Sequence, residues 1–141
     1  MINRQLKTPA RLSQLEEVLA FLEQVLEECG CPMKVVTQIC VSVEEIFVNV
    51  ANYAYPDDVG ECVLDMEVTP VGTNQKGRAQ ICISDDGKPF DPLAKSDPDI
   101  TLTAEERNIG GLGIWMVKQS MDHVEYEYVN HQNKLTLVKT W

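Results

Sequence analysis

Apolar residues recur at helical spacing through the first part of the chain. Between residues 8 and 28 the periodic apolar positions are Leu12, Leu15, Val18, Leu19, Leu22, Val25 and Leu26. Their spacing of three and four residues predicts an amphipathic helix. Thr8 is the expected N-cap, Pro9 the first helical residue, and Gly30 ends the helix.

Pro32 opens a second helical pattern. Its apolar face carries Val36, Ile39, Cys40, Val43, Phe47, Val50 and Ala54. Many of these residues are β-branched and therefore mediocre helix formers, so a buried strand is the alternative. More than twenty residues without a turn signal are too many for a strand. The sequence therefore predicts a second helix.

The rest of the chain alternates between strand patterns and turns. "ECVLDMEVT" and "RAQICISDD" alternate apolar and polar residues, which predicts two strands joined by the loop "PVGTNQKG". Residues 86–111 lack clear periodicity and predict a long loop, with a helical turn where Thr103 and Glu106 match a capping box. A short helix is expected from Gly113 to Met121, followed by a hairpin of "HVEYEYVN" and "KLTLVKTW" across "HQN".

This order of elements predicts one domain over residues 1–141. The fold class is an α+β two-layer sandwich, in which the helices pack on one face of a mixed, mostly antiparallel sheet. A chain of 141 residues is long enough to bury a core without disulfides or metal.

Charge and cysteine content narrow the class of protein. Twelve Lys and Arg against 22 Asp and Glu give a net charge of −10, and the basic residues are scattered, which argues against direct nucleic-acid binding. The five cysteines favour free thiols in a reducing cytosol, with a zinc site at Cys29-Gly30-Cys31 as the minor alternative. We find no signal peptide and no run near the ~18 apolar residues of a membrane span, so we expect a cytoplasmic protein without membrane contact.

Three segments carry candidate chemistry. On the second helix Glu45, Asn49, Asn52 and Tyr53 share one face. A solvated face is the simpler explanation, but asparagine is a poor helix former and such faces usually recruit Lys, Glu or Gln. A carboxylate and a carboxamide one turn apart are instead suited to holding Mg²⁺ and orienting a nucleophile.

The other two segments are glycine-containing turns. In "ISDDGKPFDP" Asp85 can accept a hydrogen bond from an exocyclic amine and Gly87 lets a flat ring approach the backbone, although Asp-Gly alone is a common turn. Gly110, Gly111 and Gly113 precede a helix, where freed amides can cradle phosphate. The pattern matches neither the dinucleotide-binding glycine fingerprint nor the P-loop.

In combination the three segments resemble the N, G1 and G2 boxes of the GHKL ATPases, which have the Bergerat ATP-binding fold. "DDGKPFDP", "GGLGIWMVKQSMDHVEY" and "NKLTLVK" are most similar to anti-sigma-factor serine kinases of the RsbW and SpoIIAB type. The resemblance covers nearly the whole chain.

The resemblance implies a role for each matching residue. Asp85 would bind the adenine amine, Asn49 would ligate Mg²⁺ and Glu45 would be the general base, while residues 91–109 would form the ATP lid. The remaining nucleotide contacts would be Asn52, Tyr53, Gly87, Phe90, Arg107, Gly110, Gly111, Leu112 and Gly113. Glu44 points about 100° away around the helix and receives no role.

The implied function is a protein serine kinase that uses ATP and Mg²⁺. It would phosphorylate a STAS-domain anti-sigma factor antagonist, sequester a sigma factor and form a homodimer. The alternative is a nucleotide-gated protein-binding module with little or no kinase activity. An ATP-driven clamp is disfavoured because the chain lacks a transducer domain, and neither His123 nor His131 lies in a phosphoacceptor helix of a sensor kinase.

Overall fold

The computed structural model describes residues 1–56, 59–94 and 111–141. The strands are β1 (Ile2–Pro9), β2 (Glu61–Thr69), β3 (Arg78–Asp85), β4 (His123–Val129) and β5 (Gln132–Thr140). The helices are α1 (Leu15–Glu28), α2 (Met33–Tyr53) and α3 (Gly111–Ser120), with 3-10 turns at Leu12–Gln14 and Pro92–Ala94.

The strands form one sheet in the order β1-β2-β3-β5-β4, and every pair of neighbouring strands in the described chain is antiparallel. Apolar residues from adjacent strands line up in rows across one face; Leu64, Ile83 and Leu135 form one such row. These side chains join residues of all three helices in a single core. The predicted two-layer α+β sandwich is confirmed.

The N-terminal segment differs from the sequence prediction. Residues 2–9 form an edge strand paired with β2, and Thr8 is a buried strand residue opposite Cys62 instead of a helix N-cap. Pro9 ends the strand, and α1 begins only at Leu15. Leu12 fits the helical spacing in the sequence but is 53% exposed in a 3-10 turn, so the spacing predicts a helix that starts too early.

The two long helices follow their predicted patterns. Gly30 ends α1 with a φ of +68°, and its N–H and that of Cys31 bond back to Glu27 and Leu26 at 3.0 and 3.1 Å, as in a Schellman motif. The valine-rich segment after Pro32 is a helix of 21 residues, because its apolar face is buried against the sheet. Burial outweighs the weak helix propensity of its β-branched residues.

Helix α2 also corrects one expectation about membranes. By length and composition alone it is apolar enough to cross a bilayer, with a mean hydropathy of 1.2. The core helix of a globular domain meets the same criterion, and eight residues of α2 are buried inside this fold. The described part of the chain has no other such helix.

The C-terminal hairpin turns earlier than the sequence predicts. Its two turn residues are Asn130 and His131, with φ of +54° and +63°, which is the backbone of a type I′ turn. The prediction across "HQN" is therefore wrong by one residue at the start, and Gln132 and Asn133 belong to β5. The expected helix after the glycines is present but begins at Gly111. The capping box at Thr103 and Glu106 lies outside the described residues.

All five cysteines are free, as expected. Burial raises the pKa of the Cys31 and Cys40 thiols to about 11 and that of Cys62 to about 12. Within the described ranges no group of three or more His, Cys, Asp or Glu residues is arranged to hold a metal ion. The zinc alternative therefore receives no support.

Gly30→Ala should lower the free energy of unfolding by about 1 kcal/mol, since a side chain at positive φ strains the backbone. No atom lies within 4 Å of the added Cβ, so strain is the only cost. Gly72→Ala is the matched control, because its added Cβ meets only ordinary contacts at 3.7 Å. Urea unfolding of both variants tests this, and equal losses at the two positions would show that backbone strain is not the cause.

Candidate nucleotide-binding site

A cavity lies between α2 and the helix-facing side of the sheet, near the end of β3. The space inside it that the centre of a water-sized sphere can reach is about 30 Å³, and part of the cavity is open to solvent. Its lining residues are Ile46, Asn49, Val50, Ala54, Ile83, Asp85, Phe90, Pro92, Tyr126, Asn133 and Leu135. Mostly apolar walls with a few polar groups suit a flat ring that carries polar substituents.

Asp85 supplies the charge in this cavity. It ends β3 in the alternation of Ile81 and Ile83, so its carboxylate faces the core and is only 6% exposed. Burial raises the pKa of Asp85 above its usual range, while hydrogen bonds from Asn133 and the Gly87 N–H oppose that rise. Both of these bonds, each 2.9 Å long, reach Oδ1. Neither of these two groups donates a hydrogen bond to Oδ2.

Asn133 is the main site residue that sequence reasoning missed. Its amide Nδ2 donates to Asp85 Oδ1 and to the Lys88 carbonyl, both at 2.9 Å. Its Oδ1 accepts from the Phe90 N–H at 3.1 Å and from the Tyr126 hydroxyl. The available signal was a polar residue at a core-facing position in β5, two residues before Leu135. A turn across "HQN" would leave Asn133 outside the strand, where a polar residue is ordinary and gives no such signal.

Gly87 is required by a close approach to α2. A Cβ built on Gly87 would overlap the Ala54 carbonyl oxygen and lie 2.6 Å from the Ala54 Cβ. The neighbouring Lys88 N–H donates to the same carbonyl at 2.9 Å. The loop after β3 is therefore held tightly against the C-terminal end of α2, which closes one side of the cavity.

Tyr55 braces this loop from the other side and was also missed. Its hydroxyl donates to the Glu61 carbonyl at 2.7 Å and accepts from the Asp86 N–H at 2.8 Å. Burial is the main cause that raises the pKa of Tyr55 to about 12, so the phenol stays protonated and keeps its donor. One side chain thus fixes the start of β2 and the end of β3 relative to each other.

Glu45 and Gly113 meet at the junction of α2 and α3. A Cβ built on Gly113 would overlap the Glu45 carboxylate, so this helical position has room only for glycine unless Glu45 moves. Burial raises the pKa of the Glu45 carboxyl, and the charge of Glu44 raises it further. The predicted carboxylate and the predicted glycine motif are therefore brought together, although 68 residues separate them in sequence.

Asn49 lies one turn after Glu45 and lines the cavity. With no protein metal cluster in the described ranges, a cation here would need most of its oxygen ligands from elsewhere. Mg²⁺ fits this condition, because proteins commonly hold it by one or two side chains together with phosphates and waters.

The other predicted nucleotide contacts differ in whether they lie near the cavity and in whether the structure describes them. Tyr53 is half exposed and its ring centroid lies 5.7 Å from that of Phe90, which lines the cavity. Asn52 is exposed and is not part of the lining. Gly111 begins α3, while Arg107, Gly110 and the side chain of Leu112 lie outside the described residues. Of the predicted lid, residues 91–109, only 91–94 are described.

Comparisons with known proteins bear on the family and the fold of the chain. No curated protein matches the chain by sequence. Among solved structures, the chain is similar to the RsbU and RsbW domains of Rv1364c from Mycobacterium tuberculosis, with a TM-score of 0.69 and 16% identity. That match covers 99% of this chain and 32% of the other, so this chain spans about a third of the other chain's length and the likeness shows the fold alone. The family model described as the histidine kinase-like ATPase domain matches residues 8–139. The chain therefore belongs to the histidine kinase-like ATPase family.

Proposed function

We propose that the protein is an ATP-dependent protein serine kinase of the anti-sigma-factor type. It phosphorylates a serine of a STAS-domain antagonist, sequesters a sigma factor and acts as a homodimer in the cytoplasm. Family membership and the likeness to a structure that contains an RsbW domain support this assignment. The observation that carries it is the close packing of the Glu45 carboxylate on Gly113, one helical turn from Asn49 in the cavity lining. This packing supports the assignment because it would set a base beside the phosphates of a bound nucleotide.

ATP would enter with its adenine in the cavity. The exocyclic amine donates to Oδ2 of Asp85, and the ring packs against Val50, Ile83 and Leu135. The phosphates extend toward the N-terminus of α3 at Gly111, where backbone N–H groups without helical partners favour anions. The half-exposed Tyr53 and its partner Phe90 stand at the edge of this path.

Glu45 would act on the serine substrate. Its carboxylate takes the hydroxyl proton as the serine oxygen attacks the γ-phosphorus, and ADP leaves. A raised pKa improves Glu45 as a base, because a base works best when its pKa approaches the operating pH. Mg²⁺, held by the Asn49 carbonyl oxygen with phosphate oxygens and waters, would neutralise phosphate charge when bound.

Phosphoryl transfer can be tested directly. The protein is incubated with radiolabelled ATP and the STAS-domain protein encoded nearest to it. Label on a serine of the STAS protein supports the kinase. Bound ATP without transferred label would instead favour the nucleotide-gated binding module.

Asp85→Asn should abolish most ATP affinity while leaving the protein folded. The amide oxygen still accepts the bonds from Asn133 and Gly87, but an N–H₂ group replaces Oδ2 and opposes the adenine amine. In the parent, ATP affinity should fall as pH drops through the pKa of Asp85, which lies above its ordinary 3.8, because the protonated oxygen no longer accepts. Calorimetric titration measures both effects. If Asp85→Asn binds ATP as tightly as the parent does, Asp85 does not contact the adenine.

Asn49→Ala should reduce the dependence of nucleotide binding on Mg²⁺, because the side-chain ligand is lost. Asn52→Ala is the matched control, since Asn52 is one turn further along α2 but exposed and outside the cavity lining. ATP titrations with and without Mg²⁺ compare the two variants. If Mg²⁺ changes the ATP affinity of Asn49→Ala as much as that of the parent, Asn49 is not a ligand of the metal.

Glu45→Gln should separate catalysis from binding. Phosphorylation should fall by roughly 10²–10⁴, or about 2.7–5.5 kcal/mol of barrier, while Mg·ATP affinity stays near the parent's. The fold raises the pKa of Glu45, so the ionised side chain destabilises the protein above that pKa. Removing the charge should therefore raise Tm at neutral pH. Phosphorylation within a factor of about three of the parent's would exclude Glu45 as the base.

A further inference from the structure

We propose that Asn133 is a positioning residue that sets the base selectivity of the nucleotide site. It does so by fixing the orientation of the Asp85 carboxylate, and it does not need to touch the nucleotide. This inference rests on the proposed ATP site and adds a residue to it. Asn133 is 6% exposed and stands directly opposite Asp85 in the pairing of β3 with β5.

The hydrogen-bond pattern fixes the orientation of the Asn133 amide. Its Nδ2 faces three acceptors, namely Asp85 Oδ1, the Lys88 carbonyl and, at 3.4 Å, the Gly87 carbonyl. Its Oδ1 faces two donors, the Phe90 N–H and the Tyr126 hydroxyl. A flipped amide would place its oxygen against a carboxylate and a carbonyl. All five bonds would then be lost, so one orientation dominates.

This fixed amide in turn fixes Asp85. Oδ1 accepts from both Asn133 and the Gly87 N–H, so rotation of the carboxylate would break two charge-assisted bonds. With Oδ1 engaged in this way, Oδ2 is left to meet a base edge. A fixed single acceptor favours a base with an amine at that edge and disfavours one without it, because the buried oxygen would then lack a partner.

Gln132 offers a matched comparison on the neighbouring position of β5. Its amide Nε2 donates to Asp86 Oδ1 at 2.9 Å, a bond of the same chemistry to the adjacent carboxylate. Both Asp86 and this bond are exposed, and neither residue lines the cavity. Loss of the Gln132 amide should therefore disturb the same loop without altering the Asp85 carboxylate.

The test compares ATP with purine riboside triphosphate, which lacks only the exocyclic amine. The parent should prefer ATP by about tenfold to a hundredfold, the usual worth of a hydrogen bond to a charged group. In Asn133→Ser the preference should fall below about threefold, mainly through weaker ATP binding. Gln132→Ala should keep the parental ratio.

The outcomes are distinguishable. If Asn133→Ser weakens both nucleotides equally and the ratio persists, Asn133 only supports the fold and the inference is overturned. A parent that binds ATP without preferring it overturns the assignment of Asp85, and a parent that binds no ATP overturns the proposed function itself. Should Asn133→Ser fail to fold, Tyr126→Phe removes one donor to the Asn133 oxygen. An unchanged ratio in that variant would count against the positioning role, and a lowered ratio supports it.

Discussion

The burial of one carboxylate governs the architecture of this site. Asp85 is the last residue on the core-facing side of β3, which is otherwise apolar, and an ionised group there loses several kcal/mol of hydration. Two hydrogen bonds to its Oδ1 recover about 1.5–3 kcal/mol each, which offsets part of that cost. The remainder appears as a raised pKa. Accordingly, Asn133 from β5 and Gly87 in the turn that follows β3 both direct their donors at the one carboxylate that lies inside the core.

Helix α2 also holds a carboxylate where burial disfavours its charge. Its apolar side supplies a large part of the core, including the fully buried Phe47, while the adjacent stripe holds Glu45 and Asn49. Glu45 is half-buried against Gly113 and its pKa is raised, so the helix retains a carboxylate in a place that disfavours its charge. A neutral side chain would be more stable there. Such local instability is common where a site needs a reactive group.

The parts of the fold that the sequence predicts are those with strong local periodicity. Helices α1 and α2 and strands β2 and β3 each carry enough repeats to be recognised alone. Strand β1 was missed because Ile2 and Leu6 give only a short alternation, and its pairing with β2 depends on residues about sixty positions away. The motifs single out Asp85, Glu45, Asn49 and the glycines as candidate site residues. No motif singles out Asn133 or Tyr55, because their hydrogen-bond partners are 48 and 31 residues away, respectively, and belong to no local pattern.

Strand register connects these distant residues. The type I′ turn at Asn130 and His131 sets β5 against β4, and the pairing of β5 with β3 then brings Asn133 opposite Asp85. A slip of one residue would turn Asn133 to the outer face and place the Lys134 side chain toward the core. The buried Leu135 and Leu137 oppose such a slip, because the slip would turn both side chains out of the core. Hydrophobic packing thus enforces the register on which recognition of a nucleotide base by Asp85 would depend.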